Sequence, residues 1–162
     1  MRRIAPGPGQ ESAWDYPRPP RIEREVRTVR VTLAGELIAR STAALRVLET
    51  SHPPGIYVPL SDVGPGVLSP NPAVSFCEWK GRAVYWDASA GEAIARAAAW
   101  SYPDPAAGFE VLADFVSFYP GRVEACHLGD EPVTPQEGGF YGGWITSDVV
   151  GPFKGGPGTW GW

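Results

Sequence analysis

The sequence predicts a mainly β single domain with an N-terminal arm and a C-terminal wrap. Three observations carry this. First, 20 glycines and 18 prolines punctuate 162 residues too often for long helices. Second, Val29, Val31 and Leu33 alternate with Arg30 and Thr32, the period of a half-buried strand. Third, Ala34-Gly35 separates that strand from Leu37-Ile38-Ala39, which is hairpin spacing.

Taken in order, residues 1–25 form an extended arm, rich in Pro, Gly and charge up to Arg21. Trp14 and Tyr16 are its apolar anchors, because large rings are costly to leave in water. Residues 26–135 form the β domain. After the first hairpin, Ser41–Glu49 is expected to hold a short strand ending near Glu49. Ser51–Gly55 is a loop, Ile56-Tyr57-Val58 a strand stopped by Pro59, and Gly64–Pro72 a loop broken by Gly and Pro. Ser75–Trp86 follows, with strand-favouring aromatics on either side of a Lys80-Gly81 turn or bulge. Period two would put Cys77 beside Trp79, with Phe76, Glu78 and Lys80 opposite unless a bulge re-aims Lys80. Asp87–Gly91 is expected to turn. Glu92–Ala99 stays open: its alanines favour helix, its flanks favour strand. The second half of Val111–Tyr119 is strand, and Val123–Leu128 with Glu131–Val133 makes a second hairpin around Gly129-Asp130. Residues 136–162 alternate Gly pairs with Phe140, Tyr141, Trp144, Phe153, Trp160 and Trp162. A flexible linker would be polar, so this extension is expected to lie on the body with its rings as anchors.

A net charge of -4 argues against general nucleic-acid binding, which needs a dense basic face. No stretch is apolar enough to span a membrane, and no apolar run follows Arg2-Arg3 as a secretory signal requires. Two cysteines are too few for a disulfide scaffold, so Cys77 and Cys126 are expected to be free thiols in a reducing cytoplasm. Zinc from Cys77, Cys126, His52 and His127 lacks closely spaced ligand pairs, so neither a metal nor a cofactor is expected. The oligomeric state is left open.

The middle of the chain resembles a bacterial and fungal group, domain-of-unknown-function family 427, sometimes filed under a nucleotidyltransferase-like label. The resemblance rests on an ordered set of pieces between Val29 and Val133: Gly35-Glu-Leu-Ile-Ala39 with Ser41, Leu48-Glu-Thr50, and Tyr57-Val-Pro59. It continues with Cys77-Glu-Trp-Lys-Gly81, Ala83-Val-Tyr85, Ala99-Trp-Ser-Tyr102 with Pro105, and Phe118-Tyr119. The arm and the Gly/Trp-rich tail look like a longer bacterial form. The resemblance implies two small antiparallel sheets packed at an angle, in a tent-like arrangement. Relatives of that arrangement hold flat or cationic ligands in a cage of aromatics, and many carry a four-cysteine zinc. This chain lacks the Cys-x-x-Cys pairs. It also lacks the Gly-rich phosphate loop and paired aspartates that phosphoryl transfer needs.

The expected function is binding of a small planar or cationic molecule in an aromatic-lined pocket. Trp79, Lys80, Tyr85, Trp100, Tyr102 and Tyr119 would line it, since rings hold flat groups by stacking and cations by their faces. An enzyme is the alternative, with Cys77, Lys80 and Glu49 as candidate catalytic residues. A thiol gains reactivity from a nearby positive charge, and Lys80 or His52 would supply it. A third possibility is an interaction module presenting the Gly/Trp tail. Glu49 and Lys80 both lie among apolar residues, where an unpaired charge is costly, so the two are expected to meet as an ion pair.

Overall fold

The computed structural model describes residues 1–162. Its strands in chain order are β1 (Glu11–Ser12), β2 (Arg21–Arg24), β3 (Val29–Leu33), β4 (Glu36–Ser41), β5 (Leu45–Leu48), β6 (Gly55–Pro59), β7 (Leu68–Cys77) and β8 (Gly81–Ala90). There follow β9 (Ala93–Ser101), β10 (Phe115–Phe118), β11 (Ala125–Leu128), β12 (Glu131–Pro132), β13 (Thr134–Pro135), β14 (Trp144–Ile145) and β15 (Val149–Val150). The protein is mainly β, and its helical pieces are short 3₁₀ segments of three to five residues. A seven-stranded antiparallel sheet runs β2-β5-β6-β10-β9-β8-β7, and a four-stranded antiparallel sheet runs β12-β11-β3-β4. Two short ladders join the tail to the rest: β13 with β14, and β1 with β15 in parallel.

Both expected hairpins form. Ala34 (φ 51°) and Gly35 (φ 77°) take the left-handed pair of angles that a two-residue hairpin turn demands. The strand after Ser41 ends at Leu48. Other segments differ from expectation. Arg21–Arg24, within the arm segment, is a strand paired with β5. Leu68–Pro72 is not a loop but the first half of β7. Pro70 and Pro72 lack an N–H, and β7 tolerates them because it is an edge strand with a register shift between Asn71 and Val74. Asp87–Ala90 is strand rather than turn. Ala93–Ser101 is strand as well: it lies between β8 and β10, and ladder bonds on both sides outweigh the helix preference of its alanines.

Period two gives the large sheet two apolar faces. Val58, Ala99 and Phe118 point into the main core, with Val29, Val31 and Ile38 of the small sheet and Trp144 of the tail. Their chain neighbours Tyr57, Trp100 and Tyr119 point the other way, into a second cluster with Tyr85, Tyr102 and Leu112. Arm and tail share a third cluster of Ala13, Tyr16, Leu48 and Val149. Trp14 donates its indole N–H to the Pro152 carbonyl (2.8 Å) and meets Trp162 edge-on at 5.4 Å. The tail rings are not all anchors: Trp144 is 1% exposed, but Phe140 is 57% and Trp160 89% exposed.

Candidate functional site

The second cluster does not close. Its rings border a cavity of about 250 Å³, open to solvent on one side. Trp100 on β9 lies directly opposite Tyr85 on β8, so both rings share one face of the sheet. Tyr102 follows two residues after Trp100 and returns to that face. Tyr119 lies 4.4 Å from Trp100 between ring centres, and Tyr57 meets Trp100 edge-on at 6.1 Å. The turn Glu78-Trp79-Lys80 between β7 and β8 forms another part of the rim. The far wall comes from the tail: Gln136, Phe140–Gly143 and Lys154.

The eight residues singled out from the sequence, Glu49, Cys77, Trp79, Lys80, Tyr85, Trp100, Tyr102 and Tyr119, all border this one cavity. Two details differ from expectation. Residues 78–80 are a turn rather than strand, so Lys80 joins Cys77 and Trp79 at the cavity, and Phe76 (77% exposed) and Glu78 border it as well. Lys80 and Glu49 form no ion pair. Glu49 is taken by Arg18 of the arm (Nε to Oε2, 3.3 Å) and approached by His52 (3.8 Å). Arg18 was hidden from sequence reasoning because it stands 31 positions away on a segment with no pattern.

Most polar groups of the wall are already engaged. Trp100 donates its indole N–H to the Tyr57 hydroxyl (3.3 Å), and the Tyr119 hydroxyl donates to the Phe140 carbonyl (2.9 Å). Tyr85 and Ser75 share a hydroxyl bond of 2.8 Å. Burial pushes the phenols of Tyr57, Tyr102 and Tyr119 well above their ordinary value, so all three stay neutral. Burial likewise lowers His52, which Glu49 and the Thr50 carbonyl only partly offset. His52 Nδ1 is 2.9 Å from the Thr50 carbonyl, which only accepts, so the proton sits on Nδ1 and the neutral ring keeps Nε2 as an acceptor.

Lys80 is different. Burial works against its charge, but Tyr57, Cys77 and Glu49 work harder for it, and its pKa is raised. The ammonium has no salt-bridge partner and lies 5.7 Å from the centre of the Tyr102 ring. In the same turn, the Trp79 indole N–H is buried without an acceptor, which costs about 1–3 kcal/mol. Cys77 and Cys126 are both free, and Cys126 is sealed in the main core, where burial pushes its thiol up to about 12. No three of the protein's His, Cys, Asp and Glu side chains are grouped to hold a metal ion. No helix is long and apolar enough to cross a membrane.

Sequence reasoning missed Tyr57, Gln136, Tyr141, Lys154 and the Gly142-Gly143 pair as parts of the wall. The glycines carried the usable signal, since two together between rings mark a backbone passing close to something large. A Cβ on Gly142 would come within 3.0 Å of Tyr119 Cδ1 and closer still to Trp100. Gly142→Ala is therefore expected to push the tail off Trp100, at about 1–3 kcal/mol. Thermal melting checks this, and an unchanged midpoint would mean that the tail does not rest on the rings.

Among known families, the one described as Domain of unknown function (DUF427) matches residues 21–129, which hold the large sheet and most of the small one but none of the tail. No curated protein matches the chain.

Proposed function

We propose, from the premise that the chain belongs to the DUF427 family, that this protein binds a small planar molecule between its aromatic rings. The family description names no activity, so the geometry has to carry the reading. One observation does so: five buried rings from β6, β8, β9 and the ends of β9 and β10 border a single cavity of about 250 Å³. That volume is at the small end of ligand sites, which are mostly apolar with a few placed polar groups. The rings' own N–H and O–H groups are largely spent on one another and on the tail, which leaves flat apolar surface for stacking. Trp79, Lys80, Tyr85, Trp100, Tyr102 and Tyr119 are the proposed ligand contacts. Of the two ligand classes, planar fits better than cationic, because Lys80 and Lys154 place two ammonium groups in the wall.

An amine nucleophile is less well supported. A reactive lysine needs a lowered pKa, and that of Lys80 is raised. Free thiols suit a reducing cytoplasm, where the binder would work.

Native mass spectrometry of protein purified under mild conditions tests the proposal. A small-molecule adduct is expected, lost on denaturation and depleted in Trp100→Ala. A bare mass, together with no change in tryptophan fluorescence on adding planar aromatic compounds, would overturn it.

A further inference from the structure

We infer that the planar ligand is an acid, and that its anionic group is received at the Glu78–Lys80 turn by the Lys80 ammonium. This rests on the planar-ligand reading and names the ligand's charge.

Two carboxylates border the cavity, Glu49 and Glu78, and two ammonium groups, Lys80 and Lys154. Glu49 is already matched, because Arg18 holds its Oε2 at 3.3 Å from outside the wall. Glu78 is exposed and pairs with neither lysine. Lys154 gives an N–H to the Trp162 carbonyl at 3.2 Å and lies 5.5 Å from the centre of the Tyr141 ring. Lys80 has neither a carboxylate nor a carbonyl in reach, and meets only the Cys77 sulfur and the face of Tyr102 at 5.7 Å. With Arg18 counted, the surroundings of the cavity carry more positive than negative charge, and the excess is least compensated at Lys80.

The donors agree with the charges. In the Glu78–Lys80 turn the Trp79 indole N–H is buried with no acceptor, next in sequence to a lysine whose ammonium has no counter-charge. Two donors on neighbouring residues of one turn, neither matched to an anion, suit a group with two acceptor oxygens, such as a carboxylate. A cationic ligand would instead meet both ammonium groups, with the exposed Glu78 as the one uncommitted carboxylate at the rim. The His52 ring also borders the cavity, packed against Tyr141, with Nε2 as an acceptor. It leaves room for one N–H or O–H on the ligand.

Three probes of one shape separate the possibilities: 2-naphthoate, 2-naphthamide and 2-naphthamidine, titrated against the full chain by calorimetry at neutral pH. The expected result is that the acid binds about tenfold or more tightly than the amide, and the amidine weakest. Lys80→Met is expected to erase the gap between acid and amide, and Lys80→Arg to keep most of it, with the fold of each variant checked by circular dichroism. Equal binding of acid and amide to the unmodified protein would overturn the inference while leaving the planar-ligand reading intact, and so would strongest binding of the amidine. Failure of all three probes to bind would overturn both.

Discussion

Trp144→Ala should lower the denaturation midpoint sharply, with a loss of about 3–5 kcal/mol. Trp144 belongs to the tail, yet its side chain lies in the main core between the two sheets. It is 1% exposed, and its indole N–H donates to the Phe118 carbonyl at 2.9 Å. Its own backbone N–H donates to the Pro54 carbonyl at 2.9 Å. Truncation would leave a cavity in the centre of the fold and an orphaned acceptor at the end of β10. Trp144→Phe separates the two terms, since it keeps much of the volume and loses the bond. It should cost less, about 1–3 kcal/mol. Chemical denaturation of both variants is the measurement. Midpoints equal to that of the unmodified protein would mean that residues 136–162 are not part of the folded body.

Arg27→Met should be nearly as damaging, at about 3–5 kcal/mol, because it leaves a buried carboxylate without its cation. Glu25 is 2% exposed, and its Oε1 is 2.5 Å from Arg27 Nε. The same guanidinium reaches Asp148 at 3.3 Å, so one side chain joins the segment before β3 to the tail. A double variant, Arg27→Met with Glu25→Leu, should recover much of the loss. Additive losses would show that the pair does not act as a unit. A pH signature accompanies this. Burial alone would raise Asp148, but the Thr146 hydroxyl and Arg27 hold its carboxyl below the usual range. A carboxyl lowered in the folded state contributes stability above its unfolded value of 3.8 and loses it as pH falls through the folded value. Removing Arg27 should therefore flatten the acid limb of the stability curve below about pH 4.

Whatever depended on local pattern was legible in the sequence. Val29–Leu33 alternates, Ala34-Gly35 turns, and no distant residue is needed to see it. Trp100 and Tyr102 were legible as neighbours on one face for the same reason, and the ordered motifs brought Cys77 and Lys80 to them. The rest was decided at long range. Ala93–Ser101 carries a helical composition, and only its two neighbouring strands make it extended. Glu49 looked like a partner for Lys80 because both sit among apolar residues. The cation that reaches it comes from the arm, which has no periodicity to betray where it docks. Lys154 and Tyr141 face the cavity because β13 and β14 bring the tail back over the rings. Nothing in the local composition near either residue predicts that return.

The parallel pairing of β1 with β15 has a consequence for the protein's birth on the ribosome. Glu11 donates its backbone N–H to the Asp148 carbonyl at 2.7 Å, and Glu11 lies opposite Val149. The arm therefore emerges first, while the strand it pairs with emerges 138 residues later (149 minus 11). At roughly 5–20 residues per second, that strand takes about seven to thirty seconds to appear. During this interval hairpins between near neighbours can form, such as β3 with β4 and β8 with β9, but Glu11 and Ser12 have no ladder to join. The arm's bonds to the body need no such wait: Arg46 reaches Glu11, Arg18 reaches Glu49 and Thr50 donates to the Tyr16 carbonyl, all within 31–35 positions, so only its contacts with the tail, the β1–β15 ladder among them, have to wait.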